Sequence, residues 1–589
     1  MSGSLSLKRS TFQLLLDKED KPIEQDAEDN TFLVIYNEKK SKRFPLHSQL
    51  GDILETPTEP ETGMPYVGAL VNNELRGLNE RIDITVHSLT PVSLVNSLGS
   101  QIYRRSLCFV LSMAFSRLFP KQRLVIGHSL GNGFYYESPE LDSEITERML
   151  TQVSEEMERI VKSEFPILRR YISWEEAVLH LRNTNQEQTL ELVSQHNTAR
   201  INMVICDGYL DLWHGPHLSN TKYLRTFELK SYSNGFLLRF PPTQTPNLIP
   251  EFIDRPNIFE AFQWSKERGR RLGVQCVGDL NQLVRTQMNG GLSKYILVSE
   301  SIHQRRINTI AQTAISSPKT KVILIAGPSS SGKTTFARKL CIELQAVGKK
   351  PEVISLDDFY LHPDLCPKDE TGECDFECLE ALDVPYINKL LASLIKGEEV
   401  TLPKYDFKTV TRTDGRKLKL VDESVIVIEG IHGLNDKLTA MIPAENKYKI
   451  FISALTQLNL DEHNRIATTD NRCLRRIVRD FQFRGVSAED TLLRWSSVRA
   501  GEEKHIFPFQ GNADIVFNSA LDYELAALKV IAGPLLRNIT PHSSVYNLAS
   551  RLLRFLDNFD QIIHKHVPQA SILREFIGDS PYHEEHWEN

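Results

Sequence analysis

One stretch constrains this chain more than any other. Gly327-Pro-Ser-Ser-Ser-Gly332-Lys333-Thr334-Thr335 has the spacing G-x-x-x-x-G-K-[ST], with the apolar run Val322–Ala326 before it and a series of helix formers after it. The bare pattern is expected about 0.01 times in a chain of this length and glycine content, before the strand and helix are asked for. Gly327 and Gly332 let the backbone N–H groups around Ser329, Ser330 and Ser331 curl about anionic oxygens. The helix that begins near Lys333, Thr334 and Thr335 adds the positive end of its dipole. Lys333 supplies a point charge for the outer phosphates, and Thr334 offers a hydroxyl to Mg²⁺. The loop therefore calls for a nucleoside triphosphate and Mg²⁺. No Asn-Lys-x-Asp segment follows, which argues against guanine and leaves ATP as the expected cofactor.

The rest of the chain sets the frame. Its 589 residues suggest three or four domains of roughly 100–200 residues each. Net charge is −7 with 25% charged and 41% hydrophobic residues, so nothing global points to nucleic acid or an anionic membrane. Eight cysteines are too few for a disulfide scaffold and fit a reducing compartment. The N-terminus has no signal-peptide core, and no apolar run approaches the ~20 residues of a membrane span. A soluble, cytoplasmic protein is expected. Oligomeric state stays open.

Along the chain, Phe32–Tyr36 and Tyr66–Val71 read as strands, with Asn72-Asn73 as a turn. Leu107, Val110, Leu111, Ala114, Phe115 and Leu118 fall at helical spacing, and Pro120 ends that run. Residues 142–165 and 174–196 read as amphipathic helices, and 263–318 as helices leading into a strand. From Val322 onward, strand and helix patterns alternate, the signature of a parallel α/β sheet. The last ~70 residues read as helical and polar.

Four further segments follow the loop in order. They are Val353-Ile-Ser-Leu-Asp357-Asp358-Phe359-Tyr360, Asp375-Phe376-Glu377 through Asp383, Leu402-Pro403-Lys404-Tyr405-Asp406-Phe407, and the strand Val425–Ile428 ending in Glu429-Gly430. An arginine-bearing helix, Arg475 to Gly485, comes last. Together, from about 320 to 520, they resemble the uridine kinase/phosphoribulokinase family. The resemblance implies a P-loop kinase that phosphorylates a small-molecule hydroxyl. It assigns Asp357 as the base for the attacking hydroxyl, with Asp358 as the alternative. Tyr360, Glu377, Tyr405 and Phe407 would line the acceptor pocket, Glu377 standing where uridine kinases usually carry Asp. Val410 stands where uridine/cytidine kinases place a base-reading His. Glu429 is a Walker-B-like carboxylate that would share Mg²⁺ with Thr334. Arg476, Arg479 and Arg484 align with the family's lid arginines, and their guanidinium forks suit charge spread over phosphoryl oxygens. Cys366, Cys374 and Cys378 near His362 lack zinc spacing and read as reduced loop cysteines.

The N-terminal half carries a different likeness. Phe32–Tyr36, Leu50-Gly-Asp-Ile-Leu54 and Ala69-Leu-Val-Asn-Asn73 resemble a TGS domain, a small β-grasp fold. Val125–Tyr136 and Asp211-Leu-Trp-His-Gly-Pro-His217 are similar to the second, editing domain of threonyl-tRNA synthetases. The positions of that domain's three histidines and cysteine read Arg105, Phe109, Trp213 and His217 here, which cannot build a zinc site. No deacylase chemistry is expected, and His217 reads as a core or surface histidine. Arg104, Arg105, Lys121 and Arg123 read as solvated charge.

The expected organisation is a flexible tail (1–27), a TGS-like domain (28–97), a degenerate editing-like α+β domain (98–262), a helical connector (263–318), a P-loop kinase domain (319–520) and a helical extension (521–589). The expected reaction is ATP-dependent phosphorylation of a nucleoside 5′-hydroxyl. Two alternatives stand beside it: a kinase for another small alcohol such as a sugar phosphate, and an ATP-switched regulatory protein linked to RNA through the N-terminal half.

Overall fold

The computed structural model describes residues 31–582 apart from 37–39, 46, 55, 84, 140–144, 287–289, 369–371, 373, 407–408 and 410. The expected tail, Phe407 and Val410 lie outside the described residues.

The first unit is a five-stranded sheet of β1 (Thr31–Tyr36), β2 (Lys40–Pro45), β3 (Tyr66–Val71), β4 (Glu74–Gly77) and β5 (Ser88–Ser93), in the order β2-β1-β5-β3-β4. β1 and β5 are parallel and the other pairs antiparallel. Asn72 and Asn73 both have positive φ, 50° and 60°, the backbone a tight hairpin demands and asparagine tolerates. Leu50, Ala69, Val71, Ile82 and Leu89 fill the core of this unit.

The second unit begins with the helix Ser97–Leu118, capped by the Asn96 side chain on the Leu98 N–H. It is buried along most of its length, with Ile102, Leu107, Val110, Leu111, Ala114 and Phe115 all inside. Around it lie two antiparallel sheets. One is β6 (Val125–Ser129), β7 (Gly133–Glu137), β11 (Glu228–Tyr232) and β12 (Gly235–Arg239). The other is β8 (Leu168–Ser173), β9 (Arg200–Cys206) and β10 (Tyr209–Leu212). The expected helix over 142–165 runs from Glu147 to Lys162, turning Leu150, Val153, Met157 and Ile160 inward. The expected helix over 174–196 is two helices, Trp174–Asn183 and Glu187–Gln195. Asn185, at φ 56°, breaks them.

Three helices, Pro256–Leu272, Val277–Arg285 and Gly291–Ala314, lead to the C-terminal half. There, β13 (Val322–Ala326), β14 (Lys350–Ser355), β17 (Ser424–Glu429), β18 (Lys447–Ser453) and β19 (Ile515–Asn518) form a sheet in the order β14-β17-β13-β18-β19. Every pairing in it is parallel. β13 and β17 are buried at every residue, and Val322–Ala326 and Val425–Ile428 accordingly read as apolar runs. A hairpin of β15 (Val400–Asp406) and β16 (Thr411–Leu418) sits apart from this sheet. The phosphate loop, the Leu356 turn and Gly430 all follow the carboxyl ends of these strands, where open α/β sheets place their ligands.

The extension departs from the expected polar character. Leu525, Leu528, Leu552, Leu556, Leu573 and Phe576 belong to one apolar cluster with Ala177, Leu192, Val277 and Ile477. Its many apolar positions converge on one core. Among the described residues, no helix is long and apolar enough to cross a membrane.

Candidate functional site

The loop after β13 requires its glycines for different reasons. A Cβ on Gly327 would stand 2.1 Å from the Ile452 carbonyl oxygen, so only glycine lets the loop pass β18. Ser330 and Gly332 have φ of 57° and 86°, the left-handed turns that point successive N–H groups inward. The hydroxyls of Ser330 and Ser331 are buried without a hydrogen-bond partner. Lys333, the first residue of the helix Lys333–Ala346, folds back so that its Nζ donates to the Pro328 carbonyl at 3.2 Å. Burial pushes the Lys333 amine down, opposed by the charges of Glu429, Asp357 and Glu575.

Those acids enclose the front of the loop. Glu429, at the end of β17, accepts from the Ser355 hydroxyl at 3.1 Å and the Thr334 hydroxyl at 3.5 Å. Burial and then the Asp357 charge push its carboxyl up to about 7. A buried carboxylate that resists ionisation, beside two hydroxyls, fits a divalent cation, which would repay its charge. Asp357 is exposed on the short turn after β14, its N–H held by Ser355 Oγ at 3.3 Å. Asp358 instead accepts the Tyr405 N–H at 3.1 Å, which ties it to the β15–β16 hairpin.

Glu377 lies largely buried, with one carboxylate oxygen lacking a hydrogen-bond partner. Burial pushes its carboxyl up, while Arg476 and Lys333 pull it down. Gly501 makes room for it, since a Cβ there would stand 2.6 Å from the Glu377 Cβ. The Tyr360 hydroxyl donates to the Phe376 carbonyl at 3.1 Å, and the Tyr360 and Tyr405 rings lie 6.0 Å apart. Cys366 and Cys378 are buried free thiols packed in the same apolar cluster.

The arginine helix spans Thr468–Arg484. Arg476 donates to Ser329 Oγ at 2.9 Å. Arg476, Arg479 and Arg484 converge on Asp480 at 3.3, 2.8 and 3.6 Å. Arg472 and Arg475 go deeper. They hold the carbonyls of Ser329 (3.0 Å) and Ser330 (3.4 Å) and pair with the buried carboxylates of Glu502 and Glu524. The sequence reading missed Arg472, Glu502, Glu524 and Asp480. The spacing 472, 475, 476, 479 is the inward stripe of a helix and was the available signal.

In the N-terminal half, Arg105 Nη1 donates to the Pro216 carbonyl at 2.8 Å, and the Arg104 guanidinium lies 4.7 Å from the Phe240 ring. These two are not the solvated charges expected. Each guanidinium is committed to the unit's interior. The Phe109 and His217 rings are 5.7 Å apart, and Arg169 stacks 4.0 Å over Trp213. Trp213 and His217 face a cavity of about 510 Å³ shared with Arg76, Asn79 and Arg81 of the first unit.

A buried latch joins this half to the arginine helix. The segment before Thr468 carries Asp461, which pairs with His214 Nε2 at 2.9 Å. His463 Nδ1 meets Asp211 at 2.8 Å. Glu462 accepts the Thr189 N–H at 2.8 Å and its hydroxyl at 2.7 Å. Burial disfavours charge on His463, but Asp211 and then Glu462 and Asp461 lift its imidazole to about 9 from 6.5. The folded value is the higher one. The pair's contribution is therefore complete below pH 6.5 and is lost as pH rises through about 9. The Tm gap between the native chain and His463→Gln should be widest at pH 6 and close by pH 10. A gap that does not change with pH would show that His463 is uncharged in the fold.

Residues 322–526 match the model of the Phosphoribulokinase / Uridine kinase family. The threonine–tRNA ligase of Thermotoga petrophila is 34% identical over 172 residues, 29% of this chain and 26% of that protein. That of Finegoldia magna is 28% identical over 236 residues, 38% of this chain and 37% of that protein. The chain thus spans about a quarter to a third of the length of these relatives. A possible uridine kinase from Bacillus stearothermophilus aligns with a TM-score of 0.25 and 22% identity, covering 36% of this chain and 98% of that one. The D-glycerate 3-kinase of Cryptococcus neoformans aligns at 0.19 and 15%, covering 47% and 90%. Residues 322–526 are a phosphoribulokinase/uridine kinase family domain, carried by a chain whose N-terminal part is similar to threonine–tRNA ligases.

Proposed function

We propose that the chain is an ATP-dependent kinase that phosphorylates the 5′-hydroxyl of a nucleoside. The observation that carries this reading is the convergence of Lys333, Asp357, Glu429 and Arg476 on one cleft at the carboxyl edge of the parallel sheet. ATP phosphates would lie on the N–H groups of Ser329–Thr335, and Mg²⁺ would be held by Thr334 and Glu429. Bound there, the ion neutralises phosphate charge. Asp357, exposed on the turn after β14, would take the proton of the attacking hydroxyl. Lys333, Arg476, Arg479 and Arg484 would stabilise charge on the phosphoryl group in flight. Tyr360, Glu377 and Tyr405 would line the acceptor pocket, with the unpartnered oxygen of Glu377 offered to an acceptor hydroxyl.

The test is ADP release by the purified chain with MgATP against a panel of nucleosides and sugar phosphates. A nucleoside-dependent signal with a 5′-monophosphate product is expected. Turnover with sugar phosphates alone would move the reading to another alcohol, and ADP release indifferent to every acceptor would sink it.

A second reading, an RNA-linked module switched by ATP, is favoured by the cavity lined by Arg76, Arg81 and Arg169 and by the likeness to threonine–tRNA ligases. It requires salt-dependent tRNA binding, and no binding at low salt would remove it. In either reading the first unit is a TGS domain, the second performs no aminoacyl-ester hydrolysis, and the protein works in the cytoplasm.

A further inference from the structure

One segment touches the phosphate loop and has no part in the chemistry above. Ser571-Ile-Leu-Arg-Glu-Phe-Ile577 lies near the end of the extension, far from the loop in sequence. Its Ile572 Cγ2 is 2.9 Å from where a Cβ on Gly332 would be, so it rests directly on the loop's second glycine. Glu575 Oε2 accepts the Thr335 N–H at 3.2 Å. Just upstream, the Ala570 carbonyl takes Lys339 Nζ at 2.6 Å. Arg475 lies 4.9 Å from the Phe576 ring, and Gln482 donates to the Phe576 carbonyl at 3.1 Å. The segment is thereby fastened to the helix that follows the phosphate loop and to the arginine helix.

The Thr335 N–H belongs to the first turn of a 14-residue helix, a position that attracts phosphate oxygens. A carboxylate already sits on it. Two carboxylates in fact contact the loop's backbone, and they differ. Glu502 accepts the Ser329 N–H at 3.2 Å but is pinned by Arg472 and Arg499, so it is built into the frame. Glu575 makes no ion pair among the described residues, and its charge is felt by Lys333 and Glu429 across the same cleft. It is an anion held by a helix end and a nearby lysine, which are the terms on which a phosphate would be held. One N–H cannot serve both, and a phosphate arriving beside Glu575 meets like charge.

We propose that Ser571–Ile577 is an autoinhibitory strap, with the Glu575 carboxylate standing in for a nucleotide phosphate on the Thr335 N–H. Nucleotide then binds only as the strap withdraws. Ile572, Leu573 and Phe576 are fully buried and hold it closed, so the resting protein favours the covered loop. The inference rests on the nucleotide reading of the loop, and the experiment separates the two.

Binding of N-methylanthraniloyl-ATP with Mg²⁺ is measured on the full-length chain, Glu575→Gln, Glu575→Ala and Lys333→Ala. Hydrogen exchange over residues 571–577 is followed with and without MgATP. Both Glu575 variants should bind about tenfold more tightly than the native chain, the worth of one charge-assisted hydrogen bond. MgATP should speed exchange in the strap. Equal affinities with unchanged strap protection would overturn the strap and leave the nucleotide site standing. Weaker binding by both variants would make Glu575 part of that site and also overturn it. Absence of binding to every form, or binding that Lys333→Ala does not weaken, would overturn the nucleotide reading and the strap together.

Discussion

Asp357→Asn is expected to lower turnover with the best acceptor by about 10²–10⁴-fold while the KM for ATP stays within about threefold. The residue is exposed at the carboxyl edge of the sheet, on a turn whose geometry is set by the backbone bond from Asp357 N–H to Ser355 Oγ. That bond does not involve the carboxylate, and Asn keeps the backbone N–H that makes it. What it loses is a group able to accept a proton. Its neighbour supplies the control. Asp358 holds the Tyr405 N–H at 3.1 Å, and Asn can keep that contact through its carbonyl oxygen. Asp358→Asn should therefore turn over within about threefold of the native chain. Steady-state kinetics on both variants decides the matter. If Asp358→Asn fell by a hundredfold and Asp357→Asn did not, the base would be the second carboxylate, and the acceptor would approach from the hairpin side.

That contrast also marks where the sequence stops being informative. Asp357 and Asp358 are adjacent and chemically identical, and the bond from the Tyr405 N–H to Asp358 is a long-range contact that no local pattern announces. The parallel sheet was legible because β13 and the Val425–Ile428 run of β17 are buried on both faces and must be apolar. The β8 strand carried no such mark. Its sequence, Leu-Arg-Arg-Tyr-Ile-Ser, is exposed for four residues and shows no inward alternation. The extension misled for the opposite reason. Ile572, Leu573 and Phe576 sit in a short segment around Arg574 and Glu575, and their burial depends on what they meet rather than on a long periodic pattern of their own. At the site, Lys333, Thr334, Glu429 and Arg476 are residues a motif can find, and they lie on or against the phosphate loop. The frame behind them, made of Arg472, Arg475, Glu502 and Glu524, pairs residues 30 or more positions apart, a distance at which no local pattern operates.

That frame sets the second large effect. Arg472 and Glu502 are 1% and 0% exposed, and Glu502 also takes Arg499 at 2.9 Å and the Ser329 N–H at 3.2 Å. Glu502→Ala leaves the Arg472 guanidinium buried without its counter-charge, which should cost about 3–5 kcal/mol of stability. Denaturant titration reads this directly, with fluorescence from Trp495, whose ring lies 5.6 Å from the Arg472 guanidinium, as a local probe. The double variant Arg472→Met/Glu502→Leu removes both charges and should recover most of the loss, since a buried pair often gains little over apolar packing. It should not recover nucleotide binding. The Ser329 N–H and carbonyl would both lose their anchors, and the loop's shape depends on them. A Glu502→Ala protein within about 1 kcal/mol of the native chain would mean that water reaches Arg472 and that the loop is held by its glycines alone. Stability restored without binding would instead identify the pair as a device that fixes loop geometry, retained at no gain to the fold itself.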